Sequence, residues 1–177
     1  TKYIVRGSVS PTCFKDKTVL VEVKNAVTGT AGPDTIICKG NEVLLQANMD
    51  TIDSGKFIYK WYQNNVFLDS IIPLKVSPDL NTTYILNVKN GSCKEINLPV
   101  FVEVKDYPNL SVVESVKILK GQQANLKAYS DEGVSYSWNP TQNLSCTNCP
   151  FPIANVASSM VYTVTATNAF GCSVSED

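Results

Sequence analysis

The stretch Tyr162-Thr-Val-Thr-Ala-Thr-Asn-Ala-Phe-Gly-Cys172 has two weaker copies upstream, Tyr84-Ile-Leu-Asn-Val-Lys-Asn-Gly-Ser-Cys93 and Tyr3-Ile-Val-Arg-Gly-Ser-Val-Ser-Pro-Thr-Cys13. In each, a tyrosine opens an alternating segment and a cysteine follows nine or ten positions later, with the tyrosines about 80 residues apart. A marked segment at constant spacing is the signature of a tandem array rather than of one large domain.

Working outward from these markers, residues 26–106 read as one complete unit. Thr28-Gly-Thr-Ala-Gly-Pro33 is a linker of breaker residues. Asp34-Thr-Ile-Ile-Cys-Lys-Gly40 then leads into Val43, Leu45 and Ala47, apolar on one face with Leu44 and Gln46 opposite. Ile58-Tyr-Lys-Trp61 puts an aromatic pair on the alternation, and Pro73-Leu-Lys-Val76 leads to the Tyr84 strand. No window shows the three-to-four spacing of an amphipathic helix, so the unit is predicted to be all β, an immunoglobulin-like sandwich of about seven short strands.

Residues 107–177 repeat that order. Ile118-Leu-Lys-Gly121 stands where Ile37-Cys-Lys-Gly40 stood, Tyr136-Ser-Trp138 matches Tyr59-Lys-Trp61, and Pro152-Ile153 answers Pro73-Leu74. The interval from Trp61 to Tyr84 and that from Trp138 to Tyr162 differ by a single position, so the agreement runs through the whole unit. This second sandwich is expected to lack its last strand, the Val-x-Val element seen at 19–23 and 100–104. Residues 1–25 match only the end of a unit and are read as the C-terminal strands of a truncated repeat. An alternative is that this hairpin completes the sheet of a neighbouring chain.

Six cysteines with no histidine argue for disulfides in an oxidising, extracellular setting and against a mixed Cys/His metal site. Cys38 precedes a core strand and Cys93 follows the Tyr84 strand, ends expected to meet, so the two are predicted to pair. Closing that loop contributes about 4 kcal/mol in the chain-entropy account. The residue equivalent to Cys38 in the next unit is Leu119, which leaves Cys172 without its expected partner, and Cys13 is left with a partner outside the sequence. Cys146-Thr-Asn-Cys149 is predicted to close locally, since a zinc site wants four ligands and a redox thiol pair normally opens a helix.

Trp61, Trp138, Tyr84 and Tyr162 recur at equivalent positions and are read as core anchors rather than as a sugar-stacking platform. Tyr62, Phe67, Tyr129, Phe151 and Phe170 fall outside the pattern and are the candidates for exposure. No catalytic residue, metal site or cofactor is identified: histidine is absent, phosphate-cradling glycine loops are missing, and the acidic pairs Asp50/Asp53 and Asp131/Glu132 read as solvated turns. A net charge of -1 gives no footprint for nucleic acid, and no apolar run approaches the roughly 18 residues of a membrane span.

The runs Ala31-Gly-Pro-Asp-Thr-Ile-Ile-Cys-Lys-Gly40, Tyr136-Ser-Trp-Asn-Pro-Thr-Gln-Asn-Leu-Ser-Cys-Thr-Asn-Cys-Pro150 and Tyr162 to Cys172 resemble the tandem immunoglobulin-like, or PKD-like, repeats of very large cell-surface adhesins of Bacteroidetes. These include the SprB-type gliding adhesins exported by type IX secretion. The resemblance implies a surface-anchored filament whose repeats are spacers, partnered by adjacent repeats of the same chain and by surface glycans or other cell-surface proteins. It also implies O-glycosylation at Thr35, Thr51 and Ser70, each preceded by Asp and followed by Ile. In a eukaryotic secreted protein, Asn81, Asn90, Asn109 and Asn143 would instead head N-glycosylation sequons. Two other functions fit the same chain: a carbohydrate-binding accessory module of a secreted enzyme, and a donor-strand filament subunit.

Overall fold

A computed structural model describes residues 1–10, 13–21, 26–50, 57–91, 94–131 and 133–177. All regular structure among them is β. An antiparallel hairpin of β1 (Lys2–Ser10) and β2 (Cys13–Leu20) comes first. A first sandwich follows, made of β3 (Gly29–Thr30), β4 (Thr35–Cys38), β5 (Val43–Leu45), β6 (Asn48–Met49), β7 (Phe57–Gln63), β8 (Val66–Asp69), β9 (Leu74–Val76), β10 (Thr82–Asn90) and β11 (Ile96–Lys105). The second contains β12 (Leu110–Val112), β13 (Ala124–Asn125), β14 (Ala128–Ser130), β15 (Ser135–Asn139), β16 (Ile153–Ala154), β17 (Thr163–Thr167) and β18 (Ser173–Glu176).

In the first sandwich one sheet has the order β4-β11-β10-β7-β8, and the pairs β5-β9 and β3-β6 lie outside it. The alternation of β10 decides its face: Tyr84, Leu86 and Val88 are buried, while Ile85 and Asn87 between them are only half-buried. Val100 and Val102 of β11 join them around Trp61, which has no exposed surface. The Trp61 indole N–H donates to the Ile71 carbonyl at 3.1 Å, so its one polar atom is satisfied inside the core. β7 and β8 are joined through Asn64 and Asn65, both at positive φ (49° and 64°), as a tight two-residue hairpin turn requires.

β4 runs parallel to β11 and sets Cys38 opposite Lys105. The chain then turns at Gly40, whose φ of 80° a side chain would strain, and crosses to the other sheet at β5. Residues 34–47 therefore feed two sheets in succession.

The second sandwich has its own core of Ala124, Ala128, Trp138, Ala154, Tyr162 and Val164. Its β17-β18 hairpin keeps the register of the other two. Val164 faces Glu176, as Leu86 faces Leu98 in β10-β11 and Val5 faces Lys17 in β1-β2. Tyr3 faces Val19 just as Tyr84 faces Val100. The environments differ, however: Tyr84 is 3% exposed and Tyr3 is 55% exposed, because β1 and β2 have no second sheet against them among the described residues.

Burial raises the pKa of the Tyr59, Tyr84 and Tyr162 hydroxyls above the ordinary value near 10. Raised folded-state values favour the neutral phenol in the fold, so this stabilisation is complete below the unfolded value of about 10 and is lost as pH rises through the higher folded values. Urea midpoints are expected to hold steady from pH 8 to about 10 and then fall. A midpoint that stays flat up to pH 12 contradicts this account.

Candidate functional site

Among the described residues, a densely bonded feature outside the cores is the junction of the two sandwiches. Two turns meet there on the connecting segment Lys105-Asp-Tyr107. The first is Cys38-Lys-Gly-Asn41, closed by the Asn41 amide donating to the Cys38 carbonyl at 2.9 Å. The second is Asn168–Cys172, in which the Asn168 side-chain oxygen accepts from the amides of Phe170 and Cys172, each at 3.0 Å. Gly171 supplies the φ of 86° that the turn needs.

Five contacts dock these turns. The Lys39 amide donates to the Lys105 carbonyl at 2.9 Å, and the Lys39 ammonium lies 3.7 Å from the Asp106 carboxylate. Asn168 donates its side-chain N–H to the Asp106 carbonyl at 3.0 Å, and Tyr107 donates its hydroxyl hydrogen to Asn41 Oδ1 at 3.2 Å. The Lys105 ammonium sits 4.1 Å from the centre of the Phe170 ring.

Between the turns, Cys38 and Cys172 form a disulfide with a Cα separation of 5.6 Å, and Cys172 is buried to 1% exposure. This corrects two sequence-based expectations, that Cys38 pairs with Cys93 and that Cys172 lacks a partner. The parallel β4-β11 register is the reason. It places Cys38 opposite Lys105 at the end of β11, while β11 begins at Ile96, roughly 30 Å away at the rise of a strand. Cys93 itself lies outside the described residues, and of Cys13 only the backbone position in β2 is described. The bond joins residues 134 apart, which in the chain-entropy account contributes about 5 kcal/mol.

Cys146 and Cys149 are bonded to each other. Two carbonyls of their ring bind a tryptophan: the Trp138 amide donates to the Thr147 carbonyl at 2.9 Å and its indole N–H to the Cys149 carbonyl at 2.8 Å. The Tyr162 hydroxyl donates to the Gln142 carbonyl of the same loop at 2.8 Å. Trp61, Trp138, Tyr84 and Tyr162 are all buried, as core anchors are.

The remaining candidates are dispersed. Tyr62 and Phe67 pair edge to face at 5.9 Å on the first sandwich, and Tyr129 and Phe151 pair at 5.4 Å on the second. Phe170 belongs to the junction. Ser70 is exposed after β8 with its amide bonded to Asp69, Thr35 is half-buried in β4 beside β11, and Thr51 lies outside the described residues, as do Asp53 and Glu132.

A second feature is a groove of about 590 Å³ in the second sandwich, lined by Ile118, Leu126, Trp138, Val156, Tyr162 and Asp177 among others. In the first sandwich the matching position is filled: Val102–Lys105 of β11 lies alongside β4. Val116–Leu119, the counterpart of β4, belongs to no sheet among the described residues.

No family model and no curated relative matches the chain. Among solved structures, it is similar to the N-terminal eight Ig domains of Down Syndrome Cell Adhesion Molecule, with 15% identity and a TM-score of 0.53 over 99% of this chain and 30% of that one. It is also similar to Sidekick-1 immunoglobulin domains 1-4 (15% identity, TM-score 0.44, 99% of this chain and 56% of that one). A third is the insect immune protein hemolin (15% identity, TM-score 0.44, 98% and 54%). The fold is that of tandem immunoglobulin-like β-sandwiches.

Asn168 is the polar centre of the junction, and Asn168→Ala deletes all three of its side-chain hydrogen bonds. A loss of about 1–3 kcal/mol is expected in urea denaturation, with a smaller loss for Asn168→Asp, which keeps the acceptors. An alanine variant within about 0.3 kcal/mol of the parent chain would mean that the turn is held by other contacts.

Proposed function

We propose that this chain is a section of an extracellular, adhesion-type repeat protein in which immunoglobulin-like sandwiches act as stiff spacers. The single observation that supports this reading is the junction, where a disulfide whose Cys172 side is buried joins consecutive sandwiches, and the Asn168 and Phe170 contacts seat the turn of the second on Asp106 and Lys105. Inter-domain contacts within a chain are ordinarily mobile, so a covalent tie marks a junction built to hold its angle. The sequence resemblance narrows the reading to the surface adhesins of Bacteroidetes, type IX secretion and gliding motility, with the exposed Ser70 as an O-glycosylation position. Its partners are adjacent repeats and other cell-surface proteins, without cofactor or chemistry of its own.

The competing reading is a glycan-binding module. In that case a glycan array gives reproducible binding that Phe151→Ala or Tyr62→Ala abolishes. The spacer reading expects no glycan signal above that of an unrelated immunoglobulin-like domain, and binding lost with those substitutions overturns it.

The same reading treats β1-β2 as the closing hairpin of another sandwich and the groove as the seat of a closing strand like Val100-Phe-Val-Glu-Val-Lys105. Appending that hexapeptide sequence directly after Asp177, which in the β17-β18 register sets its first valine opposite Tyr162 as Val100 is opposite Tyr84, is expected to raise the melting temperature of the second sandwich by several degrees, since about 1 kcal/mol moves a domain of this size by roughly 4–8 °C. Replacing its three valines by serine should remove the gain. An unchanged melting curve with the valine sequence counts against a strand in the groove.

A further inference from the structure

We infer that the Cys38–Cys172 disulfide carries tension from one sandwich to the next around both hydrophobic cores, so that a pull on the two ends of the chain leaves the intervening strands unloaded. Covalent order dictates the path. Cys38 is the last residue of β4, and Cys172 stands immediately before β18. Every strand from β5 to β17 therefore lies inside the 134-residue loop that the bond closes. Force entering from the N-terminal side reaches Cys38, crosses the two sulfurs and leaves through residue 173. It never acts along β7, β10, β11, β15 or β17, which hold Trp61, Tyr84, Val100, Trp138 and Val164. Among the described strands, β1 to β4 and β18 remain in the path and can be peeled.

The position of the sulfurs makes the bypass short. Cys38 faces Lys105 across the parallel ladder, and Cys172 Sγ lies 4.0 Å from the Lys105 carbonyl oxygen, so the bond bridges the two sandwiches at the point where the chain itself passes between them. A disulfide between Cys38 and Cys93 would have closed a far shorter loop and left the second sandwich wholly exposed to the pull. Burial of Cys172 keeps the bond away from solvent thiols while the junction is closed.

This inference deepens the spacer reading, on which its relevance to adhesion rests, yet its test is independent of what the chain adheres to. The whole chain, with handles fused at residues 1 and 177, is stretched to full extension by single-molecule force spectroscopy before and after treatment with a phosphine reductant. The oxidised chain is expected to fall short of the reduced chain by about 450 Å, the length of 134 residues at roughly 3.4 Å each. Cys38→Ser and Cys172→Ser should reach the longer extension without reductant. The reduction arm uses the unaltered protein, so the result stands even if the variants fold poorly. Equal extensions with and without reductant overturn the inference. So does a shortfall of about 190 Å, the length that a loop from Cys38 to Cys93 would hide at the same rise per residue. Non-reducing peptide mapping supports the inference by recovering Cys38 linked to Cys172 and overturns it by recovering Cys38 linked to any other cysteine.

Discussion

The register of the tyrosine hairpin is the constraint on which the other features depend. Val164 opposite Glu176 and Leu86 opposite Leu98 fix which side chains face inward, and a slip of one residue would turn Tyr84, Leu86 and Val88 out to solvent. The same register sets where the hairpin turn falls. In the second sandwich that turn is Asn168–Cys172, and its tip projects beyond the core onto Lys105 and Asp106. The parallel pairing of β4 with β11 then brings Cys38 to Lys105 from the other side. Two strand registers, one local and one spanning the sandwich, together determine that two sulfurs meet.

Those two registers were not equally legible in the sequence. The hairpin is local: Tyr84 pairs with Val100 on the very next strand, the alternation between them is plain, and the same interval separates Tyr3 from Val19. The core anchors followed directly, since Trp61 and Trp138 recur at matching places and are buried. The β4-β11 pairing instead joins the first long strand of the unit to its last, and nothing in Thr35-Ile-Ile-Cys38 distinguishes a parallel neighbour from an antiparallel one. Recurrence identifies equivalent residues in successive units but is silent on whether a cysteine bonds within its own unit or across to the next. The Cys146–Cys149 ring was legible from spacing alone, whereas its placement of two carbonyls on the Trp138 amide and indole was not, because main-chain acceptors leave no mark in side-chain pattern.

The second sandwich is an internal control for the junction. Its counterpart of the Cys38 turn keeps the same backbone, with the Gln122 amide donating to the Leu119 carbonyl at 2.9 Å and Gly121 at a φ of 86°. The sulfur position is occupied by Leu119, which is 80% exposed. The turn therefore does not require the disulfide for its shape. Geometry belongs to the repeat, and the covalent tie is an addition specific to this junction.

Magnitudes decide how the junction is held. The Lys39–Asp106 pair is largely exposed on both sides and contributes about 0–1 kcal/mol, and the Lys105–Phe170 contact adds about 0.5–1 kcal/mol. Each neutral hydrogen bond from Asn168, Tyr107 and Lys39 adds about 1 kcal/mol before the entropy of holding two bodies together is subtracted. Such a set suits aligning two turns but is weak for resisting sustained tension. The polar contacts align Asn168–Cys172 against Lys105-Asp-Tyr107, and the disulfide, with its Cα atoms 5.6 Å apart, fixes that arrangement covalently. Strength and direction thus come from different groups, the sulfurs supplying the first and the asparagine turn the second.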